Sequence, residues 1–244
     1  MLENGKRIGV PAAATSTSSK DPMPRWKRCL DLAVLAFVAP VLGPILGLIA
    51  LLIKAVSPGP IVFRQERVGL HGRKFTCLKF RTMRASAETE AHRAHLVDLM
   101  SSAKPMVKLD AVDQRIIPIV GPLLRATGFD ELLQVVNILR GDMSIVGPRP
   151  CITYEYEKFG PQERARFNAV PGLTGLWQVS GKNATTFQEM IALDIRYAEK
   201  LSLRNDLLII CRTPAVIFIQ VGQLIRRKLP WERMLWLRRV QTEG

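Results

Sequence analysis

The sequence predicts a mainly helical α+β protein with three distinguishing parts: a re-entrant membrane helix-break-helix, one β-hairpin, and amphipathic helices lying in a membrane interface. The first rests on a nearly uninterrupted apolar run from Leu32 to Ile53, long enough to cross a bilayer. Pro40, Gly43 and Pro44 stand in its middle and must kink or break a helix there. Its flanks are basic on both sides, with Arg25, Lys27 and Arg28 before it and Lys54, Arg64 and Arg67 after. Lys and Arg mark the cytoplasmic side of a membrane segment, so both ends call for the same side. A helix that enters, breaks and returns satisfies both observations. A kinked spanning helix is the alternative.

The remaining elements follow in order. Residues 1–24 are rich in Ala, Ser, Thr and Pro, a composition expected to stay disordered, and they lack the apolar core of a signal peptide. Residues 25–56 hold the membrane helix, and 57–244 form one cytoplasmic domain. Within it, Ile61–Arg67 and Lys74–Phe80 flank Gly69-Leu70-His71-Gly72 and read as the hairpin. That hairpin carries cations at Arg64, Arg67, Lys79 and Arg81. Residues 85–112 are polar and partly helical, then loop-like around Pro105. From Asp206 the chain is apolar again through Leu224, but Arg212 and Pro214 interrupt it. A second span would have to bury Arg212 at membrane depth, at a cost that excludes it. Beyond lies R-R-K-L-P-W-E-R-M-L-W-L-R-R, whose basic residues interleave with Trp231, Leu235 and Trp236, as suits a helix in the interface plane.

A chain of 244 residues can bury one real core. Its formal net charge of +14 calls for anionic partners. The charge is scattered among apolar segments, with no zinc-finger spacing and no aromatic RNA-binding motif. Nucleic acid is therefore set aside in favour of membrane lipids and phosphorylated small molecules. The four cysteines, Cys29, Cys77, Cys151 and Cys211, are far apart and without a C-x-x-C pair, which reads as reduced and structural. His92 and His95 lie three apart in a polar stretch and read as a solvated helix face rather than a metal site.

The chemistry concentrates between Thr127 and Pro150, T-G-F-D-E-L-L-Q-V-V-N-I-L-R-G-D-M-S-I-V-G-P-R-P. Phe129, Leu132, Leu133, Val136 and Leu139 repeat at helical spacing, with Thr127 as N-cap and Gly141 as stop. Asp130, Gln134 and Asn137 share the opposite face. Asp130 and Glu131 then stand in a first turn, where the helix dipole favours carboxylates and attracts phosphate. Such a pair also occurs simply to complement the dipole. The segment that follows, Gly147-Pro148-Arg149-Pro150, holds a guanidinium on a stiff mount suited to bidentate capture of phosphate. Further on, Gly172, Gly175 and Gly181 let backbone approach a ligand, and Trp177 is either a stacking platform or core.

With K-R-C-L-D (27–31), S-P-G-P-I-V-F-R-Q-E-R-V-G (57–69), K-F-R-T-M (79–83), P-G-L-T-G-L-W-Q-V-S-G-K-N (171–183) and L-D-I-R-Y (193–197), this stretch resembles the bacterial sugar transferases. These are monotopic polyprenyl-phosphate phosphoglycosyl transferases, and the likeness is to their short catalytic-core form over residues 26–215. The resemblance implies transfer of a phospho-sugar, a hexose-1-phosphate, from a UDP-sugar to undecaprenyl phosphate at the bacterial inner membrane, initiating exopolysaccharide- or capsule-type glycan synthesis. It implies a membrane helix broken at Ala39-Pro40. It implies Asp130 as nucleophile, forming an aspartyl-phosphosugar intermediate, and Glu131 as metal-positioning group or base, with Mg2+ held by Asp130 and Glu131. Arg67, Lys79, Arg81 and Arg149 become phosphate ligands, and Asp194 and Tyr197 match positions tied to activity. Two departures stand out. Val170 replaces a cation common before the Pro-Gly of block 171–183, leaving Lys182 to supply the charge, and Leu133 replaces a usual Pro. An inactive membrane scaffold of the same fold is the competing reading; the intact Asp130-Glu131 pair and Arg149 argue against it.

Overall fold

The computed structural model describes residues 23–83, 97, 100, 116–181 and 185–228. The N-terminal tail, the polar stretch with His92 and His95, Lys182, and the Trp231–Trp236 segment lie outside the described residues. The first element, α1, runs from Arg25 to Val56 and contains both Pro40 and Pro44. It is helical throughout, so the expected break at Ala39-Pro40 is no gap between two helices. The prolines lack the N–H groups that would reach the Ala36 and Pro40 carbonyls, which weakens the helix at those points. By length and composition α1 is apolar enough to cross a membrane, and among the described residues it is the one helix that is.

The hairpin pairs β1 (Val62–Val68) with β2 (Lys74–Phe80) in antiparallel register, Phe63 opposite Lys79 and Arg67 opposite Phe75. Alternation along the strands puts Arg67, Cys77, Lys79 and Arg81 on one face and Arg64 on the other. Then come α2 (Val120–Thr127), a 3-10 segment (Phe129–Gln134), α3 (Val135–Arg140) and β3 (Ser144–Val146). The chain continues through α4 (Thr153–Lys158), a 3-10 segment (Glu163–Asn168), β4 (Gly172–Thr174) and α5 (Leu176–Val179). It closes with α6 (Phe187–Glu199) and α7 (Leu203–Lys228).

Both ends of α1 pack on the same body. Near its start Lys27, Asp31 and Leu35 are buried, and near its end Ile49 and Ile53 join Phe80, Ile117, Val120 and Leu124 in one cluster. The first turns are fastened by charge. Lys27 Nζ donates to the Val146 carbonyl at 2.7 Å, the Tyr197 hydroxyl at 2.9 Å and Asp206 Oδ2 at 2.5 Å. Asp31, one turn on, accepts from Ser144 Oγ and the Ile145 N–H, both at 2.9 Å. Arg28 donates to the Ile138 and Leu139 carbonyls, capping α3 with a cation where its dipole is negative. Lys27 and Arg28, counted from sequence as flanking charges of a membrane run, thus have specific partners within the protein.

The glycines of block 171–183 serve backbone packing. β3 and β4 run parallel, Ser144 beside Gly172 and Val146 beside Thr174. A Cβ on Gly147 would lie 2.1 Å from the Val170 carbonyl oxygen, and one on Gly175 would lie 2.1 Å from the Gly147 oxygen. These neighbours are backbone and cannot step aside. Gly147→Ala is therefore expected to destabilise by about 1–3 kcal/mol, a fall in Tm of roughly 2–4 °C per kcal/mol, read by thermal unfolding in detergent. An unchanged Tm would mean the two loops can part freely.

The apolar surface left over is concentrated on two helices. Phe37, Val41 and Leu51 of α1 are 85%, 67% and 66% exposed, and Leu207, Leu208, Phe218 and Ile219 of α7 are exposed as well. Faces of this size mark a membrane or a partner rather than water.

Candidate active site

Asp130 and Glu131 enter through a sharp turn at Gly128, whose φ of 76° is left-handed and suits glycine. Thr127 caps the segment ahead of it only weakly, its hydroxyl accepting from the Phe129 N–H at 3.4 Å. It ends α2, its hydroxyl donating to the Leu123 carbonyl at 2.8 Å. The carboxylates then lie in 3-10 rather than α conformation. At about three residues per turn their side chains diverge by ~120°, and Asp130 and Gln134 do not share a face.

Burial across this segment also differs from the apolar-stripe expectation. Gln134 and Asn137 are buried at 2% and 0% exposure, whereas Phe129 and Leu139 are 37% and 54% exposed. Asn137 explains the inversion. Its Oδ1 accepts from the Leu78 N–H at 3.0 Å and its Nδ2 donates to the Thr76 carbonyl at 2.7 Å. The amide thus acts as a short extra strand on β2, satisfying backbone groups that burial would otherwise penalise. This docking brings Lys79 to Glu131, Nζ to Oε1 at 2.7 Å.

Arg149 is held through its backbone. The Pro148 carbonyl accepts from the Gly172 N–H at 2.9 Å, the Arg149 carbonyl from Arg166 at 2.8 Å, and the Pro150 carbonyl from Arg67 at 3.2 Å. The Arg149 N–H donates to Asp194 Oδ2 at 3.2 Å, and Asp194 is also ion-paired with Arg166. Burial pushes the Asp194 carboxyl up to about 6, against the Arg166 charge and the Arg149 N–H, which lower it. The Arg149 guanidinium lies over the Trp177 ring, 5.9 Å from its centre; Trp177 is buried and donates to Thr185 Oγ1 at 2.6 Å.

Arg67 joins these groups into one electrostatic site. Burial lowers its pKa most, the Arg149 charge lowers it further, and Glu131 raises it. Its hydrogen bond to the Pro150 carbonyl sets the hairpin cation beside the Pro-Arg-Pro turn, and guanidiniums held near one another favour an anion between them. Lys79 meets Glu131, and Arg67 meets the turn that carries Arg149; Asp130 adjoins Glu131 in the chain. Arg81 and Tyr197 are engaged elsewhere. Arg81 donates to the Ser57 and Pro58 carbonyls at 2.9 and 2.8 Å, fixing the turn after α1. Tyr197 is 2% exposed, and its hydroxyl donates toward Asp206 Oδ1 at 2.7 Å; burial and the Asp206 charge raise its pKa. Asp194 acts behind Arg149. Sequence reasoning passed over Arg166; it placed Asn137 on a helix face without its strand-clamping role and named Asp206 only as the start of an apolar stretch. Val170 is buried at 3% exposure, leaving no cation at that position.

Among the described residues no three His, Cys, Asp or Glu side chains converge as a metal site. A hard dication that keeps waters and substrate phosphates as ligands needs only one or two protein carboxylates. Asp130 and Glu131, both carboxylate oxygen donors, fit that requirement.

The bacterial sugar transferase family model matches residues 23–220 of this chain. A UDP-glucose:undecaprenyl-phosphate glucose-1-phosphate transferase of Caulobacter vibrioides is 40% identical over 205 residues, 79% of this chain and 71% of that protein. The exopolysaccharide production protein ExoY of Sinorhizobium fredii is 37% identical over 193 residues, 78% of this chain and 84% of that protein. The galactosyl transferase CpsE of Streptococcus agalactiae is 39% identical over 191 residues, 75% of this chain but 42% of that longer protein. With the family model spanning most of its length, this chain belongs to the bacterial sugar transferase family.

Proposed function

We propose that this protein is an undecaprenyl-phosphate sugar phosphotransferase that moves a hexose-1-phosphate from a UDP-sugar to undecaprenyl phosphate, beginning exopolysaccharide-type glycan synthesis. The observation that supports it is the Lys79–Glu131 pair beside Asp130 in the chain, with Arg67 donating to the Pro150 carbonyl next to Arg149. Two carboxylates among three cations suit a phosphoanhydride exchange. An Asp130 oxygen attacks the sugar-proximal phosphorus; the bond from that phosphorus to the bridging oxygen breaks, and UMP departs with the electron pair. A phosphate oxygen of the acceptor lipid then attacks the same phosphorus, and its bond to Asp130 breaks. The aspartate returns as carboxylate and the lipid carries a diphosphosugar.

Arg149 and Arg67 hold the transferred phosphate and offset the charge that develops on it. Lys79 pairs with Glu131 and aims it. Mg2+ held by Asp130 and Glu131 would supply further neutralisation of the diphosphate. The membrane helix gives the site its place at the inner-membrane surface, where a lipid phosphate meets a nucleotide sugar from the cytoplasm. Re-entry of α1 is supported by its two ends. A helix of 32 residues is ~48 Å long, exceeding a hydrocarbon core of about 30 Å, yet both ends pack on one body.

The test is UMP release by the detergent-solubilised protein with undecaprenyl phosphate, Mg2+ and either UDP-glucose or UDP-galactose. Lipid-dependent release with one of them is expected. Silence with both donors, from protein shown to be folded, would sink the hexose assignment, and silence across a wider donor panel the transferase reading.

A further inference from the structure

Beside Glu131 a cavity of about 260 Å³ opens between the 3-10 segment, β4, α5 and α7. Its walls include Phe129, Leu132, Leu173, Val179, Val216 and Ile217. We propose that this cavity takes the first isoprene units of the acceptor lipid, so that the lipid's phosphate lies at Lys79 and Glu131 while its hydrocarbon turns inward. The inference rests on the phosphosugar-transfer reading above and adds where the acceptor is recognised.

Three observations favour hydrocarbon over sugar or nucleobase. The walls are mostly apolar, and their threonine hydroxyls are already engaged; beside Glu131, the amide of Gln178 is the remaining polar wall group, its Oε1 buried without a hydrogen-bond partner. Thr174 and Thr213 bond each other at 2.9 Å, and Thr213 also donates to the Ile209 carbonyl at 2.8 Å. A hexose placed here would lose water from its hydroxyls and gain few partners, a loss that apolar walls do not offset.

The cavity is also continuous with exposed apolar surface. Phe129 and Ile217 line it and are 37% and 39% exposed, and next to Ile217 stand Phe218 and Ile219 at 77% and 59%. A chain entering from the bilayer could therefore reach the site along α7 without crossing water.

Finally, the charge lies at one end. Glu131 is a wall residue and is paired with Lys79 at 2.7 Å. Lys79 itself stands just outside the wall, behind Glu131, so a phosphate monoester at this end would meet the Lys79 ammonium at the rim. An amphiphile with one anionic end and an apolar body matches that polarity.

The experiment narrows the cavity where the fold can bear it. Val216 is half-buried and outside the core clusters, so Val216→Trp should fold; Ile217→Trp, at a wall residue also outside them, narrows the mouth. Each is expected to raise KM for undecaprenyl phosphate about tenfold, the loss when roughly two methylene groups can no longer be buried, with KM for the UDP-sugar within twofold. As a second measurement, a farnesyl phosphate bearing a diazirine is photolysed with the unaltered protein. Labels are expected in peptides spanning 127–132, 173–179 and 210–217. An unchanged lipid KM in both variants, a rise in KM for the UDP-sugar instead, or labels confined to other peptides would overturn the assignment. No lipid-dependent UMP release from the unaltered protein would be a different failure, that of the transferase reading itself.

Discussion

Asp130→Asn removes lipid-dependent UMP release, with a fall in kcat of roughly 10,000-fold or more, the scale seen when a covalent nucleophile is lost. The carboxamide keeps the size of the side chain and its place in the 3-10 turn, so the fold and the Lys79–Glu131 pair should persist. What it lacks is an anionic oxygen. Gly128 and the Asn137 clamp on β2 fix the segment that carries Asp130, so the substitution should leave its neighbours in place. The measurement is a single turnover without acceptor lipid, using a donor radiolabelled at the sugar-proximal phosphate. The unaltered protein should retain label in a form released by hydroxylamine, as an acyl phosphate is, and Asp130→Asn should retain none. Turnover within tenfold of the unaltered protein would place the nucleophile elsewhere.

The sequence made this site partly legible, and the limits have physical causes. Alternation on either side of Gly69–Gly72 located the hairpin, and Gly141 ended the helix after the carboxylates; its φ is 86°. Those signals are local. The helix periodicity of 129–139 was equally clear but misled about its environment. Apolar spacing names a stripe without saying whether core or hydrocarbon covers it, and here the stripe ends, Phe129 and Leu139, are exposed while Asn137 is buried. Thr127 looked like an N-cap because capping residues also serve at helix ends. The family resemblance put Arg81 among the phosphate ligands; in the structure its guanidinium donates to the Pro58 carbonyl, 23 residues earlier in the chain. Charges such as Lys27, Arg166 and Asp206 have partners more than 20 residues away, and pairing at that distance leaves no local pattern to read.

The same long-range pairing underlies the second large effect, that of Asp206→Ala on the attachment of α1. Lys27 and Asp206 side chains are each 1% exposed, so deleting the carboxylate strands an ammonium away from water. Loss of one partner of a buried pair costs about 3–5 kcal/mol, a large share of the stability of a single domain. The Tyr197 hydroxyl and the Val146 carbonyl remain for Lys27, but neither carries charge. The consequence should reach the site, because Val146 precedes the Gly147–Pro150 turn that mounts Arg149. Asp206→Ala is therefore expected to lower Tm in detergent by roughly 6–20 °C, at about 2–4 °C per kcal/mol for a chain of this size. The paired change Lys27→Met with Asp206→Leu removes both charges and should restore most of that loss, since apolar replacement of a whole buried pair is commonly neutral or stabilising. If the single variant melts within 2 °C of the unaltered protein (about the effect of 1 kcal/mol or less), the ion pair does not hold the membrane helix to the domain. Recovery in the double variant, with Asp206→Ala alone unstable, would show that uncompensated charge rather than lost packing was the cause.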